Sequence, residues 1–195
     1  MKSNHPSPES PLDPLEFRAT VVRYFEFVDA LHYQLSLTNS SRIVYRSDLA
    51  EFVIEHDQFT YEITSGLHVL EEWFSTGDML DTLNIDALRD WKDPQASTRE
   101  RVELLVPQLA EIVRTYCTPI LRDPLAWREP MRAMRERRRL SAARIEHLER
   151  LRTQADTAYH ARSFTDMLAA YAQIPAERLT PIDLARIASA RNHLT

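Results

Sequence analysis

The apolar and polar positions of the chain fall into stretches of period 3.6 separated by one stretch of period 2. Phe17, Val21, Tyr24, Phe25, Val28, Leu31 and Leu35 recur at helical spacing, which marks an amphipathic helix with one buried stripe. Asp13-Pro14-Leu15-Glu16 opens it, with an Asp N-cap, Pro at the first helical position and Glu at the third. The pattern predicts a helix from Asp13 to about Leu37. Thr38-Asn39-Ser40-Ser41 then breaks it, and the period changes. Ile43 and Tyr45 alternate with Arg42, Val44 and Arg46; Phe52 and Ile54 alternate with Glu51, Val53 and Glu55; Phe59, Tyr61 and Ile63 alternate with Thr60, Glu62 and Thr64. Three short strands follow, about 42–47, 50–55 and 58–64, in an antiparallel meander. A short connection at His56-Asp57 pairs Ile54 with Phe59 and Phe52 with Tyr61 on one face, and sets Glu51 opposite Glu62 on the other. Facing carboxylates repel unless neutralised, which Arg42 or Arg46 of the first strand can do.

Helical spacing returns after Gly66, and Asp78 to Leu88 reads as a short acidic helix. Ser97-Thr98-Arg99-Glu100 is a capping box that opens a helix carrying Val102, Leu105, Leu109, Ile112, Val113 and Tyr116, kinked or split at Pro107. Asp123-Pro124 starts another helical stretch, interrupted at Pro130 and followed by a long helix from about Met131 to Leu151, with a break near Leu140 left open. Two last helices, about 154–173 and 181–194, flank Thr180-Pro181, with Thr180 as cap and Asp183 at the third position. Ala155, Ala158, Phe164, Leu168, Tyr171 and Ile174, then Leu179, Leu184, Ile187 and Ala188, resemble a tetratricopeptide-type hairpin followed by one more helix. It is a single unit, so it reads as a packing appendage and not a solenoid. The expected fold is therefore α+β and mainly α: an N-terminal helix, a small three-stranded antiparallel meander, and a helical bundle ending in the tetratricopeptide-like hairpin. One compact domain over 13–195 joins a helix-plus-sheet part (13–95) to an all-helical part (96–195), behind a Pro- and Ser-rich disordered leader over 1–12.

Composition narrows the chemistry. At 195 residues, 44% of them hydrophobic, the chain can bury a real core. A single cysteine, Cys117, excludes an internal disulfide and a cysteine-based zinc site, and its place beside Tyr116 on an apolar helix face reads as a buried, inert thiol. With no spanning apolar run and a polar, proline-rich start, the cytosol is the default location and no membrane role is expected. Only Gly66 and Gly77 are glycine, so a P-loop, a dinucleotide fingerprint and a hydrolase nucleophile elbow are all absent. Lysine occurs only at Lys2 and Lys92, and no two of the seven histidines stand three to five residues apart as a helical zinc pair would. The reading is a non-enzyme without cofactor or metal.

Charge is divided along the chain. Residues 1–120 hold ten Lys+Arg against twenty Asp+Glu, and residues 121–195 hold fourteen against nine. The basic part centres on Arg132, Arg135, Arg137, Arg138, Arg139, Arg144, Arg150 and Arg152. Such a stripe suits phosphates, but no aromatic residue lies between Trp127 and Tyr159 to stack on bases. Acids also sit one turn away, as in Arg132–Glu136 and Glu146–Arg150. Internal pairing is the stronger reading and nucleic-acid binding the weaker. The acidic part offers Glu51, Glu55, Asp57, Glu62, Glu71 and Glu72, a broad anionic surface suited to steered association with a basic protein partner. The acids lack the spacing and central glycine of a calcium loop.

The order of a helix, the meander Phe52-Val53-Ile54-Glu55 into Phe59-Thr60-Tyr61-Glu62-Ile63, the Leu105–Leu121 helix ending in Tyr116, and a closing Ala158…Phe164…Tyr171…Leu179-Thr180-Pro181…Ala190-Arg191 segment carries a likeness. It resembles bacterial immunity proteins encoded beside polymorphic or contact-delivered toxins. The likeness covers most of residues 17–194 and rests on pattern. It implies a non-enzymatic inhibitor of one cognate toxin; for a toxin with a basic cleft, Glu51, Glu55 and Glu62 would mimic phosphates. Two alternatives stand beside it: a helical adaptor docking partners through the C-terminal hairpin, and a nucleic-acid binder using Arg132 to Arg152.

Overall fold

The structure, a computed structural model, describes residues 15–85 and 91–194. The expected leader, the Asp13-Pro14 helix start and the end of the expected 78–88 helix lie outside the described residues. The chain divides into two compact units, Met1–Arg135 and Glu136–Thr195, where the sequence pattern suggested one domain whose parts meet near residue 95.

The first unit is α+β. Its sheet has five antiparallel strands among the described residues, in sequential order: β1 (Gln34–Thr38), β2 (Arg42–Arg46), β3 (Ala50–His56), β4 (Ile63–Val69) and β5 (Glu72–Ser75). One sheet face carries Ile43, Tyr45, Phe52, Ile54, Leu67 and Phe74 into a core with Phe17, Val21, Phe25 and Val28 from the chain before the sheet. Val102, Val106, Leu109, Val113 and Ile120, which come after the sheet, complete that core.

The first helix is much shorter than the pattern predicts. α1 spans Phe17–Tyr24, a 3₁₀ turn covers Glu26–Leu31, and His32 (φ 66°) ends it in the left-handed region. Gln34–Thr38 is then the edge strand β1, with Leu35 beside Tyr45 and Leu37 beside Val44. Leu35 continues the helical stripe in sequence. Pairing with β2 satisfies backbone groups that a bare sheet edge would leave open, and this outweighs weak helical propensity.

The third strand is displaced as well. β4 runs over Ile63–Val69, and residues 57–62 form a loop. Phe52 therefore faces Leu67, Ile54 faces Ser65, and Glu51 faces His68. The expected Ile54–Phe59 and Phe52–Tyr61 pairs and the Glu51–Glu62 opposition do not form. The windows 58–64 and 63–69 share the same period, but the second buries Ile63, Leu67 and Val69 completely while Phe59 in the first is 95% exposed. Apolar burial selects the second register.

Strand also replaces the helix expected after Gly66: β4 and β5 form a hairpin turning at Leu70 (φ 58°). Helix α2 (Thr76–Thr82) follows, opened by a capping box in which the Ser75 side chain and Asp78 satisfy each other's backbone N–H. α3 (Arg99–Ile112) begins one residue later than predicted, with Thr98 as its cap, and passes through Pro107 without ending. The irregularity lies further on, as a π turn over Val113–Cys117 before α4 (Thr118–Arg122). α5 is a single helix of 37 residues, Pro124–His160, unbroken at Pro130 and at Leu140. Proline removes one backbone bond there, while the Arg, Ala, Leu and Glu residues that follow are strong helix formers.

The second unit holds the end of α5, α6 (Phe164–Tyr171) and α7 (Pro181–Leu194). Its core is Leu151, Ala155, Met167, Ala170, Tyr171, Ile174 and Ala190. The predicted cap of α7 is present: Thr180 N–H donates to Asp183 Oδ2 (2.8 Å) and Asp183 N–H donates to Thr180 Oγ1 (3.2 Å). The tetratricopeptide-like hairpin is not reproduced as such. Residues 154–160 belong to α5, leaving α6 only eight residues, and a 3₁₀ turn at Ala176–Arg178 precedes α7. No described helix is long and apolar enough to cross a membrane.

Candidate functional site

The structure sorts the six predicted acids into two groups. Register places Arg42 beside Glu55 and Arg46 beside Glu51. The guanidinium of Arg42 lies 3.4 Å from Glu55, and Arg46 Nε donates to Glu51 Oε1 at 2.8 Å. Neutralisation by the β2 arginines is therefore real, although the neighbour being tolerated is not Glu62. Glu72 is gripped from α5, with Arg128 Nε at 2.6 Å and Arg132 at 2.9 Å. Hydrogen bonding by Arg132, aided by the charge of Arg128, holds the Glu72 carboxyl below the usual carboxylate range.

These contacts also resolve the first part of the arginine stripe. Arg132 binds Glu72 and Glu129, whereas Glu136 binds Arg139 at 2.8 Å, so the predicted Arg132–Glu136 pair does not form. Arg135 reaches Asp78 at 2.9 Å, donates to the Trp73 carbonyl and stacks 4.6 Å above the Phe74 ring. Glu146 and Arg150 do approach, at 4.0 Å. The exposed pairs among these, Glu136–Arg139 and Glu146–Arg150, contribute about 0–1 kcal/mol each, so they orient surfaces more than they stabilise the fold.

Asp57, Glu62 and Glu71 remain. Among the described residues none of the three forms an ion pair with an arginine or lysine. Glu71 lies in the β4–β5 turn, at the far end of β4 from the other two. Asp57 and Glu62 are brought together at the two ends of the β3–β4 loop, where Asp57 N–H donates to the Glu62 carbonyl at 2.9 Å.

This loop is built from its own residues. Asp57 Oδ1 accepts the backbone N–H groups of Phe59 (2.7 Å) and Thr60 (3.0 Å). That is the local competition by which Asp turns a chain away from a strand. The same two N–H groups hold its carboxyl below the usual range, Thr60 most strongly. Tyr61 sits in the left-handed region at φ 59°, an uncommon setting for an aromatic residue. The segment before α3 pins the loop: Ala96 N–H donates to the Tyr61 carbonyl (2.8 Å), Ile63 N–H donates to the Pro94 carbonyl (2.7 Å), and Glu62 bridges Gln95. Underneath, His56 Nε2 meets the Ala96 carbonyl at 2.8 Å and its ring packs 5.4 Å from Phe17. Since a carbonyl only accepts, Nε2 carries the hydrogen, and the buried imidazole is a fixed strut for the loop.

Beside the loop, burial pushes the Asp93 carboxyl above its ordinary value, and the charges of Glu62 and Asp78 push the same way. Two aromatic side chains crown the loop: Phe59 is 95% exposed and Tyr61 46%. The pattern placed both in the core, but the Asp57-Gln58-Phe59-Thr60 turn signal marked the departure from strand. Cys117 is fully buried, and burial pushes its thiol up to about 12, which leaves it unreactive as a nucleophile.

No protein-family model matches the chain, and no curated protein or solved structure matches it either.

Proposed function

We propose that this chain is a non-enzymatic protein-binding module of the immunity kind, which neutralises a basic toxin domain through the acidic end of its sheet. The observation that carries the reading is the division of the acids. Glu51, Glu55 and Glu72 are answered by the chain's own arginines, while among the described residues Asp57, Glu62 and Glu71 have no arginine or lysine partner, and the first two stand together on a loop tied to residues 94–96. Unmatched charge on a rigid support suits electrostatic steering of a cationic partner and costs little ordering entropy on binding. The phosphate-mimicking role expected of Glu51 and Glu55 thereby passes to the loop carboxylates.

Co-expression with the product of a neighbouring reading frame tests the proposal. That product alone should arrest growth, this chain should restore it, and Glu62→Lys should weaken the protection and lower the salt dependence of association. Full protection by the Glu62→Lys protein, with unchanged salt dependence, would overturn the reading.

A further inference from the structure

We infer that Phe59 is the anchor of this surface: it enters an apolar pocket on the partner protein, and cationic groups rimming that pocket take the carboxylates of Asp57 and Glu62. The inference rests on the protein-binding reading above and adds the chemistry of the partner.

Two observations carry it. A phenyl side chain that is 95% exposed gains nothing from the protein's own core. Single exposed apolar residues are ordinary, but the backbone under this one is held by hydrogen bonds. Asp57 fixes the backbone at Phe59 and Thr60, and the Tyr61 carbonyl and Ile63 N–H are tied to residues 94–96. A rigid aromatic side chain with few torsions to lose is the residue type that dominates protein interfaces. The second observation is the charge around it. Asp57 lies two residues before Phe59 and Glu62 three after, with their main chains joined by the 2.9 Å bond, so the loop that carries the knob has an acidic residue at each of its two joined ends.

That charge selects the partner. Anionic lipid headgroups and nucleic-acid phosphates would both be repelled, which leaves a protein whose apolar pocket is bordered by lysine or arginine. Leu70 provides an internal contrast. It is also well exposed, at 66%, and sits in a turn at the other end of β4. Beside it stand one carboxylate without an arginine or lysine partner among the described residues, Glu71, and one already neutralised by arginines, Glu72, so position 70 lacks the second unpaired carboxylate that position 59 has.

The test is site-specific photo-cross-linking with the full-length chain in cells of its source organism, with benzoylphenylalanine placed at position 59 and, as control, at position 70. The expected result is one cross-linked protein from position 59 and none of it from position 70, with the adduct mapped to an apolar residue bordered by Lys or Arg. Adducts at position 59 no stronger than at 70 would overturn the inference. So would adducts on nucleic acid, on lipid, on a second copy of this chain, or on a peptide without basic neighbours.

With the captured protein purified, Phe59→Ser should weaken binding on the order of 30-fold, in the range of interface hot spots. Phe59→Leu should lose less, and the melting temperature should be unchanged in both. If Glu62→Lys weakens binding while Phe59→Ser does not, the anchor falls and the acidic-surface reading stands. If neither weakens it, both fall.

Discussion

Gly66→Ala tests the packing of the sheet face opposite the core, and its outcome follows from distances. Gly66 stands on β4 between Val53 of β3 and Ser75 of β5, with the Trp73 ring laid across it. A methyl group at this position would lie 2.6 Å from Trp73 Cζ2 and Cη2, and would also strike the Phe74 carbonyl. The indole can swing aside. The carbonyl cannot, because it belongs to β5, whose ladder pairs Leu67 with Phe74. Overpacking of this kind costs about 1–3 kcal/mol. Against it, replacing glycine restricts the unfolded chain and returns about 0.5–1 kcal/mol. The expected net is a loss of about 1–2 kcal/mol, a fall of roughly 2–8 °C in melting temperature for a unit of this size.

Gly77 supplies a control of opposite sign. It lies within α2, and a methyl group there meets Ser75 Oγ and Trp91 Cδ1 at an ordinary 3.5 Å. Gly77→Ala should therefore stabilise by up to about 1 kcal/mol. Urea denaturation followed by tryptophan fluorescence measures both, provided the slope with denaturant is unchanged. A Gly66→Ala protein as stable as the parent would refute the close approach of Trp73 and β5.

Two further outcomes follow from ionisable groups that partial or full burial perturbs. The Asp93 carboxyl titrates above its ordinary value, so the folded state favours its protonated form; the stability this provides is complete at low pH and is lost as pH rises through the raised value. Asp93→Asn keeps an oxygen for the Trp91 Nε1–H bond and should be the more stable protein at neutral pH, with a flatter pH profile across the carboxylate range; thermal melts at acid and neutral pH that show a less stable Asn variant at neutrality would contradict this. Cys117, fully buried and with its thiol pushed up to about 12, should react with thiol reagents only through unfolding, so labelling should accelerate with added urea; prompt stoichiometric labelling of the native protein would show that the site opens by itself.

What the residues determine by themselves is local. β2 and β3 occupy the predicted positions, because the alternation of Ile43 and Tyr45, then Phe52 and Ile54, is read within each strand; Arg42 and Arg46 are legible as neutralising residues, although the acids they meet are Glu55 and Glu51 and not a Glu51–Glu62 pair. The Thr180–Asp183 cap is equally legible, since both bonds close within three residues. The buried thiol of Cys117 follows from its place on an apolar helix face.

Tertiary structure decided whatever involved competition or distance. Ile63 belongs to two windows of the same period, and the choice between them rests on how much apolar surface each buries against the rest of the sheet. Leu35 fits a helical stripe, and only the open edge of β2 makes Gln34–Thr38 a strand. The partners of Glu72, Arg128 and Arg132, lie 56 and 60 residues further along the chain, where no spacing rule reaches. The loop that carries Asp57, Phe59, Tyr61 and Glu62 is the result of that first competition. When β4 took the later register, the carboxylates were left together and the phenyl ring was left outside the core, because burial energy is summed over a whole sheet while periodicity is read one segment at a time.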